Sequence, residues 1–404
     1  MRKLKKQFLP LVMKEFQENK NLMFEPRFAS LSNNFFNFSF NIQLPAVKPS
    51  IKSPNFDRIY VFGDSLSDNG NEYIGLNYIQ KNFDSDIEID TPSPPFFPGR
   101  ESNGFVWTDY LAEELGFDLT PVLEFAKEAP VSKNMNGGYE IIPSFGGNTA
   151  NQSTNFAVSG ARLVNDDSDP GDLVTPSVSS QIDFFLEDLE VKQVSEDGLY
   201  VIQGGANDYL SGEFSEPTEA IAVVSEAITD LYDAGGRYFL VPNLPDLGST
   251  PIGRSFSDEE STFLTDVSNR HNDLLETTLR KLERDLPDIE IESPDFRALG
   301  LDVANDPTAF GLTNGSDSYL VGEPPNFSTA NNNPNDYFYF DYIHPTTAGQ
   351  SLLADVALEA IDGLGVSTNQ SDSIGDIFNN ILGSFSLSHH GQFEFLGMTE
   401  ELFI

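Results

Sequence analysis

Short apolar runs alternate with longer stretches of helical spacing over most of this chain. "FDRIYVFGD" (56–64) is an apolar strand bounded by turn residues. "GFVWTDYLAEELG" (104–116) places Val106, Tyr110, Leu111 and Leu115 on one helix face and closes on Gly116. "TNFAVSGA" (154–161) is a second short strand, and "SSQIDFFLEDLE" (179–190) reads as a helix. "GLYVIQGGAND" (198–208) is a third strand, ending in small residues. "EPTEAIAVVSEAITDLYDAGG" (216–236) has a proline near its start, helical spacing and a Gly-Gly stop. "RYFLVPNLPDLG" (237–248) is a fourth strand. The stretch from Ser257 to Pro287 predicts a long helix whose Ser257 and Glu260 form a capping box. "DIEIESPDF" (288–296) alternates as a fifth strand, and "TTAGQSLLADVALEAIDGLG" (346–365) is a closing helix.

Strands that alternate with helices of this length predict an α/β fold: three layers, α/β/α, around a mainly parallel five-stranded sheet. The segments 76–102, 118–150 and 303–336 are long and rich in Pro, Asn and Gly, so they are expected to be loops that carry a substrate site. Residues 1–55 mix Asn, Ser, Phe and Pro without a sustained period and predict a poorly ordered lead-in. Residues 56–364 form the expected domain, and 365–404 a Ser-, Asn- and Gly-rich tail with a short helix around Ile374–Leu382.

The composition narrows the class. A hydrophobic fraction of 39% supports a substantial core, and 34 phenylalanines make it an aromatic one. No window reaches the roughly 20 apolar residues of a membrane span. There are 0 cysteines, which excludes disulfides, thiolate metal sites and a Cys nucleophile, and leaves the compartment open. The net charge of −40 argues against nucleic-acid partners. It is unevenly spread: residues 1–30 hold seven Lys or Arg against three Glu. "MRKLKKQFLPLVMKEF" has the basic start of a signal peptide, but its apolar run is short, Lys14 and Glu15 interrupt it, and no small-residue cleavage pattern follows. The expectation is a protein without a signal peptide, cytoplasmic or exported by another route, with transient contact to a lipid surface at most.

Four short stretches lie just past a strand or just before a helix: Gly63-Asp64-Ser65-Leu66, Asn155 to Gly160, Gly205-Ala206-Asn207-Asp208, and Asp341-Tyr342-Ile343-His344-Pro345. Strand carboxyl ends gather at one edge of a parallel sheet, so residues distant in sequence meet there. Each stretch alone reads more readily as turn or cap chemistry. Together and in this order they resemble the SGNH or GDSL hydrolase family. "RESNGFVWTDYLAEELG" (100–116), "VPNLPDLGSTP" (241–251) and "YFYFDYIHPTTAGQSLLA" (337–354) extend the resemblance to its bacterial lipase and esterase branch, over about residues 56–364.

The resemblance implies a serine ester hydrolase, with lipid or fatty-acyl esters as substrates and Phe-rich loops along the acyl site. Ser65 would be the nucleophile, His344 its base, and Asp341 the group that orients His344 across one helical turn. The backbone N–H groups of Ser65 and Gly160 and the side-chain amide of Asn207 would form the oxyanion hole. No cofactor and no metal are implied. A carbohydrate acetylesterase or an acyltransferase would use the same residues. A catalytically dead binding protein fits less well, because every member of the set is present. The chain departs from the family in two places: Ser159-Gly160 replaces a frequent Gly-Gly pair, and Asn69 replaces a frequent Thr. Outside the set, His271 and Trp107 read as structural. His389 and His390 read as solvated, and the acidic stretch 165–172 lacks the spacing of a calcium loop.

Overall fold

The computed structural model describes residues 55–362 apart from 84–94, 127–129, 134–137, 142, 148, 165–172, 190–193, 213–214, 323–326 and 330–332. The expected lead-in and tail, with His389, His390 and the helix around 374–382, lie outside the described residues, as does the acidic stretch 165–172.

The central sheet has six strands: β1 (Arg58–Phe62), β2 (Thr120–Pro121), β3 (Thr154–Asn155), β4 (Gly198–Ile202), β5 (Tyr238–Leu240) and β6 (Glu290–Glu292). Their spatial order is β2-β3-β1-β4-β5-β6, and every pairing is parallel. The five expected strands are all in it, and the two-residue β2 adds an edge that is too short to show as a period. From β1 the chain builds first toward β2 and β3 and then crosses to β4 on the other side. That reversal makes the carboxyl ends of β1 and β4 a switch point, where an open α/β sheet forms its ligand crevice.

The helices are α1 (Asn71–Asn82), α2 (Trp107–Leu115), α3 (Val178–Glu187), α4 (Ala206–Leu210), α5 (Thr218–Asp233), α6 (Asp258–Asp285), α7 (Phe296–Asn305) and α8 (Thr347–Ile361). Alternation along β1 divides the core. Tyr60 and Phe62 point into a cluster with Phe156, Phe185 and Tyr200, together with residues of α3, α5 and α6. Ile59 and Val61 point into a second cluster with Trp107 and Leu111 of α2 and Leu353 of α8. Both faces are therefore covered, which explains why β1 and β4 are almost continuously apolar.

Three helices depart from the sequence expectation, among them the five-residue α4, which starts inside the stretch read as the end of the third strand. α1 begins inside the block read as strand, turn and loop, and its buried side is Asn71, Gly75 and Ile79. A helix face that carries a buried asparagine and a glycine shows no apolar stripe. α7 buries Phe296, Leu299 and Val303 and is capped by Asp295, whose Oδ1 accepts from Ala298 N at 2.9 Å. The ends of the long helices agree with their cap signals. Gly116 has φ 80° at the end of α2, and Ser257 and Glu260 close both halves of the capping box of α6.

Candidate active site

The turn after β1 is built to hold Ser65 in place. Gly63 leaves the strand so close to Gln203 that an added Cβ would meet Gln203 O and Oε1 at 3.0 Å. Gln181 clamps its backbone: Gly63 N donates to Gln181 Oε1, and Gln181 Nε2 donates to Gly63 O, both at 2.9 Å. Asp64 then folds the turn. Its Oδ1 accepts from Leu66 N at 3.0 Å, and its carbonyl accepts from Ser67 N at 3.0 Å and Asp68 N at 2.9 Å. Burial pushes the Asp64 carboxyl up to about 6 against those hydrogen bonds, and its Oδ2 has no partner.

A buried polar frame supports the turn from below. Ser67 Oγ donates to Gln203 Oε1 at 2.9 Å and accepts from Trp107 Nε1 at 3.1 Å. Trp107 is thus both a fully buried core residue and a strut under the turn. Asp68 accepts from the backbone N–H groups of Gly70, Asn71, Glu72 and Ser159, which caps α1 and ties it to the Ser159 loop. Asn155 Nδ2 donates to Ser67 O at 2.7 Å, and Asn71 Nδ2 donates to Asn155 O at 2.8 Å and Ala157 O at 2.9 Å. The Asn71 and Asn155 amides thus bind backbone carbonyls on both sides of the turn and hold it rigidly.

His344 arrives from the far end of the chain. A strand at Tyr337–Tyr339 precedes it, and Phe340 N donates to His344 O at 2.8 Å. Asp341 Oδ1 accepts from Ile343 N at 2.8 Å and His344 N at 2.7 Å. The pair therefore shares an aspartate-centred turn, and not the helical turn expected from the i, i+3 spacing. Helix α8 begins only at Thr347, after the Thr346 cap. The turn frees Asp341 Oδ2 to accept from His344 Nδ1 at 2.9 Å, while His344 Nε2 lies 2.9 Å from Ser65 Oγ. Residues 279 positions apart in sequence thus form one hydrogen-bonded relay.

A fourth group meets this relay. Glu101 Oε2 is 2.9 Å from His344 Nε2, and its other oxygen accepts from Ser159 Oγ. Burial of His344 opposes its charge, but the Asp341 and Glu101 carboxylates outweigh that and hold the imidazole well above its ordinary range. Asp341 is likewise penalised by burial, yet the His344 charge and its hydrogen bonds keep its carboxyl below the usual range. Nothing in the sequence patterns singled out Glu101. It sits inside the quoted "RESNG" stretch, but an acid in a loop of so acidic a chain carries no signal of its own.

Two of the expected oxyanion donors, Asn207 and Gly160, sit on the turns that follow β4 and β3. Asn207, in the first turn of α4, lines a cavity with Ser65, and its Nδ2 donates to Ala161 O at 2.9 Å. Gly160 follows Ser159 and turns with φ 80°, at a bend that a side chain would strain. The cavity, of about 50 Å³, runs inward from Ser65 between Leu66, Leu210, Leu247, Phe296 and Phe338. Its aromatic walls come from α7 and the strand before His344, where the expectation had placed them in the long loops.

Glu101, Asp341 and His344 also bring ligand-type atoms within 4.8 Å of one another. Asp341 faces Nδ1 and Glu101 faces Nε2, on opposite edges of the ring, so the group is arranged as a relay through the imidazole and not as a cage around one ion. No helix among the described residues is long and apolar enough to cross a membrane.

Comparison with known proteins identifies the family. The profile of the GDSL-like Lipase/Acylhydrolase family matches residues 59–357. Similar curated proteins include a GDSL esterase/lipase of Arabidopsis thaliana, 26% identical over 75% of this chain and 88% of the relative. Sinapine esterase of Brassica napus is 26% identical over 74% of this chain and 84% of its own length. Phosphatidylcholine-sterol acyltransferase of Aeromonas hydrophila is 29% identical over 66% of each. Among solved structures, the carbohydrate acetylesterase Est24 of Sinorhizobium meliloti matches over 75% of this chain and 97% of its own, with TM-score 0.36 and 13% identity, too distant to carry an argument.

Proposed function

Since the chain belongs to the GDSL-like lipase/acylhydrolase family, and is with it a carboxylic ester hydrolase, we propose that Ser65, His344 and Asp341 carry the reaction and that the acyl half of the substrate is a fatty-acyl chain. The observation that carries this reading is the relay Ser65 Oγ–His344 Nε2 and His344 Nδ1–Asp341 Oδ2, 2.9 Å at each step.

A serine hydroxyl is too weak a nucleophile without a base in hydrogen-bond contact. Neutral His344 accepts the proton at Nε2 as Ser65 Oγ attacks the ester carbonyl. Asp341 holds the Nδ1 proton and stabilises the imidazolium that results. The backbone N–H groups of Ser65 and Gly160 and the Asn207 amide receive the oxyanion, where one donor is typically worth about 3 kcal/mol. The intermediate collapses when His344 passes its proton to the leaving alcohol, which leaves Ser65 acylated. A water then gives a proton to His344, attacks the acyl group, and releases the carboxylic acid as Ser65 regains its hydrogen.

The cavity beside Ser65 has leucine and phenylalanine walls that suit the apolar half of an ester, and at about 50 Å³ it takes only the start of an acyl chain, the remainder of which would extend beyond it. A panel of chromogenic esters of increasing chain length, with Ser65→Ala as control, tests both claims. Turnover that rises from acetyl to longer acyl chains and vanishes in the variant is expected. A preference for acetyl esters would shift the reading to an acetylesterase. Product that appears only when an acceptor alcohol is supplied would shift it to an acyltransferase.

A further inference from the structure

His344 Nε2 has two neighbours, Ser65 Oγ and Glu101 Oε2, each at 2.9 Å. The chemistry just described needs only one of them. In acylation the proton on Nε2 must pass to the leaving alcohol, and in deacylation a water must stand at the same nitrogen. Glu101 Oε2 occupies that place.

Glu101 is not a stray surface acid. Arg100 before it is fixed by a bidentate pair with Asp109, from Nε to Oδ2 and from Nη2 to Oδ1, both at 2.9 Å. Ser102 after it donates from Oγ to Pro345 O at 3.0 Å, and Asn103 Oδ1 accepts from Thr347 N at 2.8 Å. The loop is thereby fastened on both sides of Glu101, partly to the segment that carries His344. The carboxylate itself is held by Ser159 Oγ and remains 17% exposed.

An alcohol that takes the Nε2 proton displaces one carboxylate oxygen from its partner but leaves the carboxylate beside it. Two further carboxyl groups stand close: Asp341 faces the other edge of the ring, and Asp64, next to Ser65 in the chain, is buried. The nearby guanidinium of Arg100 is committed to Asp109. We propose that Glu101 is a specificity-determining residue that sets the charge of the alcohol half of the substrate, favouring esters of alcohols that carry a quaternary or protonated amine over neutral ones, and neutral over anionic. A cation two or three bonds from the ester oxygen replaces the imidazolium contact that Glu101 loses, whereas an anion there meets an unscreened carboxylate.

This inference rests on the ester hydrolase reading, and its test separates the two. The probes are butyrylcholine, its neutral isostere 3,3-dimethylbutyl butyrate, and a butyrate ester of similar length ending in sulfonate. With the full chain at low salt, kcat/KM is expected to fall in that order, by about tenfold from cation to neutral ester, and the gap should narrow as salt screens it. Glu101→Gln should bring the cationic and neutral esters within about twofold of each other, and Glu101→Asp should restore part of the preference. Equal rates in the unaltered protein, or a preference untouched in Glu101→Gln, would overturn the proposal. Labelling of Ser65 by a fluorophosphonate is the companion measurement. Labelled Ser65 with cleavage indifferent to charge refutes only the role of Glu101. An unlabelled Ser65 with none of the three esters cleaved refutes the hydrolase reading beneath it, and the charge preference with it.

Discussion

The molecule buries two histidines in opposite ways. His344 and His271 are both nearly inaccessible, and each uses Nδ1 for a hydrogen bond: His344 to the Asp341 carboxylate at 2.9 Å, His271 to the Tyr209 hydroxyl at 2.8 Å. His344 is held well above its ordinary range, because two carboxylates outweigh the burial that opposes its charge. His271 has only burial acting on it, which drives it down to about 3. An imidazole in contact with a hydroxyl is a neutral packing piece. The same ring between carboxylates can take up a proton from a serine and remain stable while charged. The contact partner, more than the burial, separates a base from a brace.

His271 still serves the site as a brace. Gly205 adopts φ 108° at the start of α4, and an added Cβ there would come within 2.9 Å of His271 Cε1. The ring therefore packs against the turn that delivers Asn207, and Tyr209 of α4 bonds to it. One histidine is set for the proton chemistry proposed above, and the other packs against the turn that delivers Asn207.

The comparison breaks most visibly at His344. His344→Ala and Ser65→Ala should each lower kcat for a good ester by about 10⁴-fold or more, while circular dichroism stays unchanged. Asp341→Asn keeps the turn's acceptor oxygen but loses the negative charge. It should cost about 10²–10⁴-fold in kcat, and full activity with an unchanged pH profile would leave Asp341 as a turn former alone. Asn207→Ala should lower kcat by roughly 10²–10³-fold with little change in KM, because the amide acts on the oxyanion. A raised KM at constant kcat would mean that it only binds substrate.

The pH dependence sharpens the contrast. Only neutral His344 accepts the serine proton, so kcat/KM should fall as pH drops through its raised value, with the acid limb lying above the ordinary histidine range. Glu101→Gln removes one of the two carboxylates and should move that limb to lower pH, read from a pH–rate profile. The smallest effect on rate belongs to the other ring. His271→Leu should keep kcat within several-fold but cost about 1–3 kcal/mol of stability, since the Tyr209 hydroxyl loses its buried partner. Its linkage has a definite sign. A histidine lowered to about 3 in the fold contributes stability above its unfolded value near 6.5, and loses it as pH falls toward 3. Denaturant titrations from pH 7 down to pH 4 should therefore show the unaltered protein losing ground to His271→Leu.

Much of the architecture was legible because burial on both faces leaves a direct trace in sequence. β1 and β4 are short unbroken apolar runs, and the cap signals at Gly116 and at Ser257 with Glu260 mark helix ends that the structure reproduces. Two of the elements that escaped have contacts that are polar or remote. α1 turns Asn71 inward, to be satisfied by Asn155 O and Ala157 O, and so has no apolar face to read. β2 is two residues long and exists only because β3 lies beside it.

The four motif blocks, which put Ser65, Gly160, Asn207, Asp341 and His344 forward as the proposed site, were legible in the sequence itself, since a nucleophile, a base and an amide donor must be particular residue types at strand ends. What only the tertiary structure decided is how they meet. It put Asp341 and His344 into an aspartate-centred turn instead of a helical one, made Trp107 a strut beneath Ser65 as well as a core residue, and drew the cavity walls from α7 and the strand before His344. Above all it brought Glu101 to His344 Nε2. No local pattern encodes that contact, because it depends on a loop fastened at one end to Asp109 and at the other to Pro345 and Thr347. Local chemistry is written in short-range spacing, whereas a through-space contact is set by the packing of every element between its two partners.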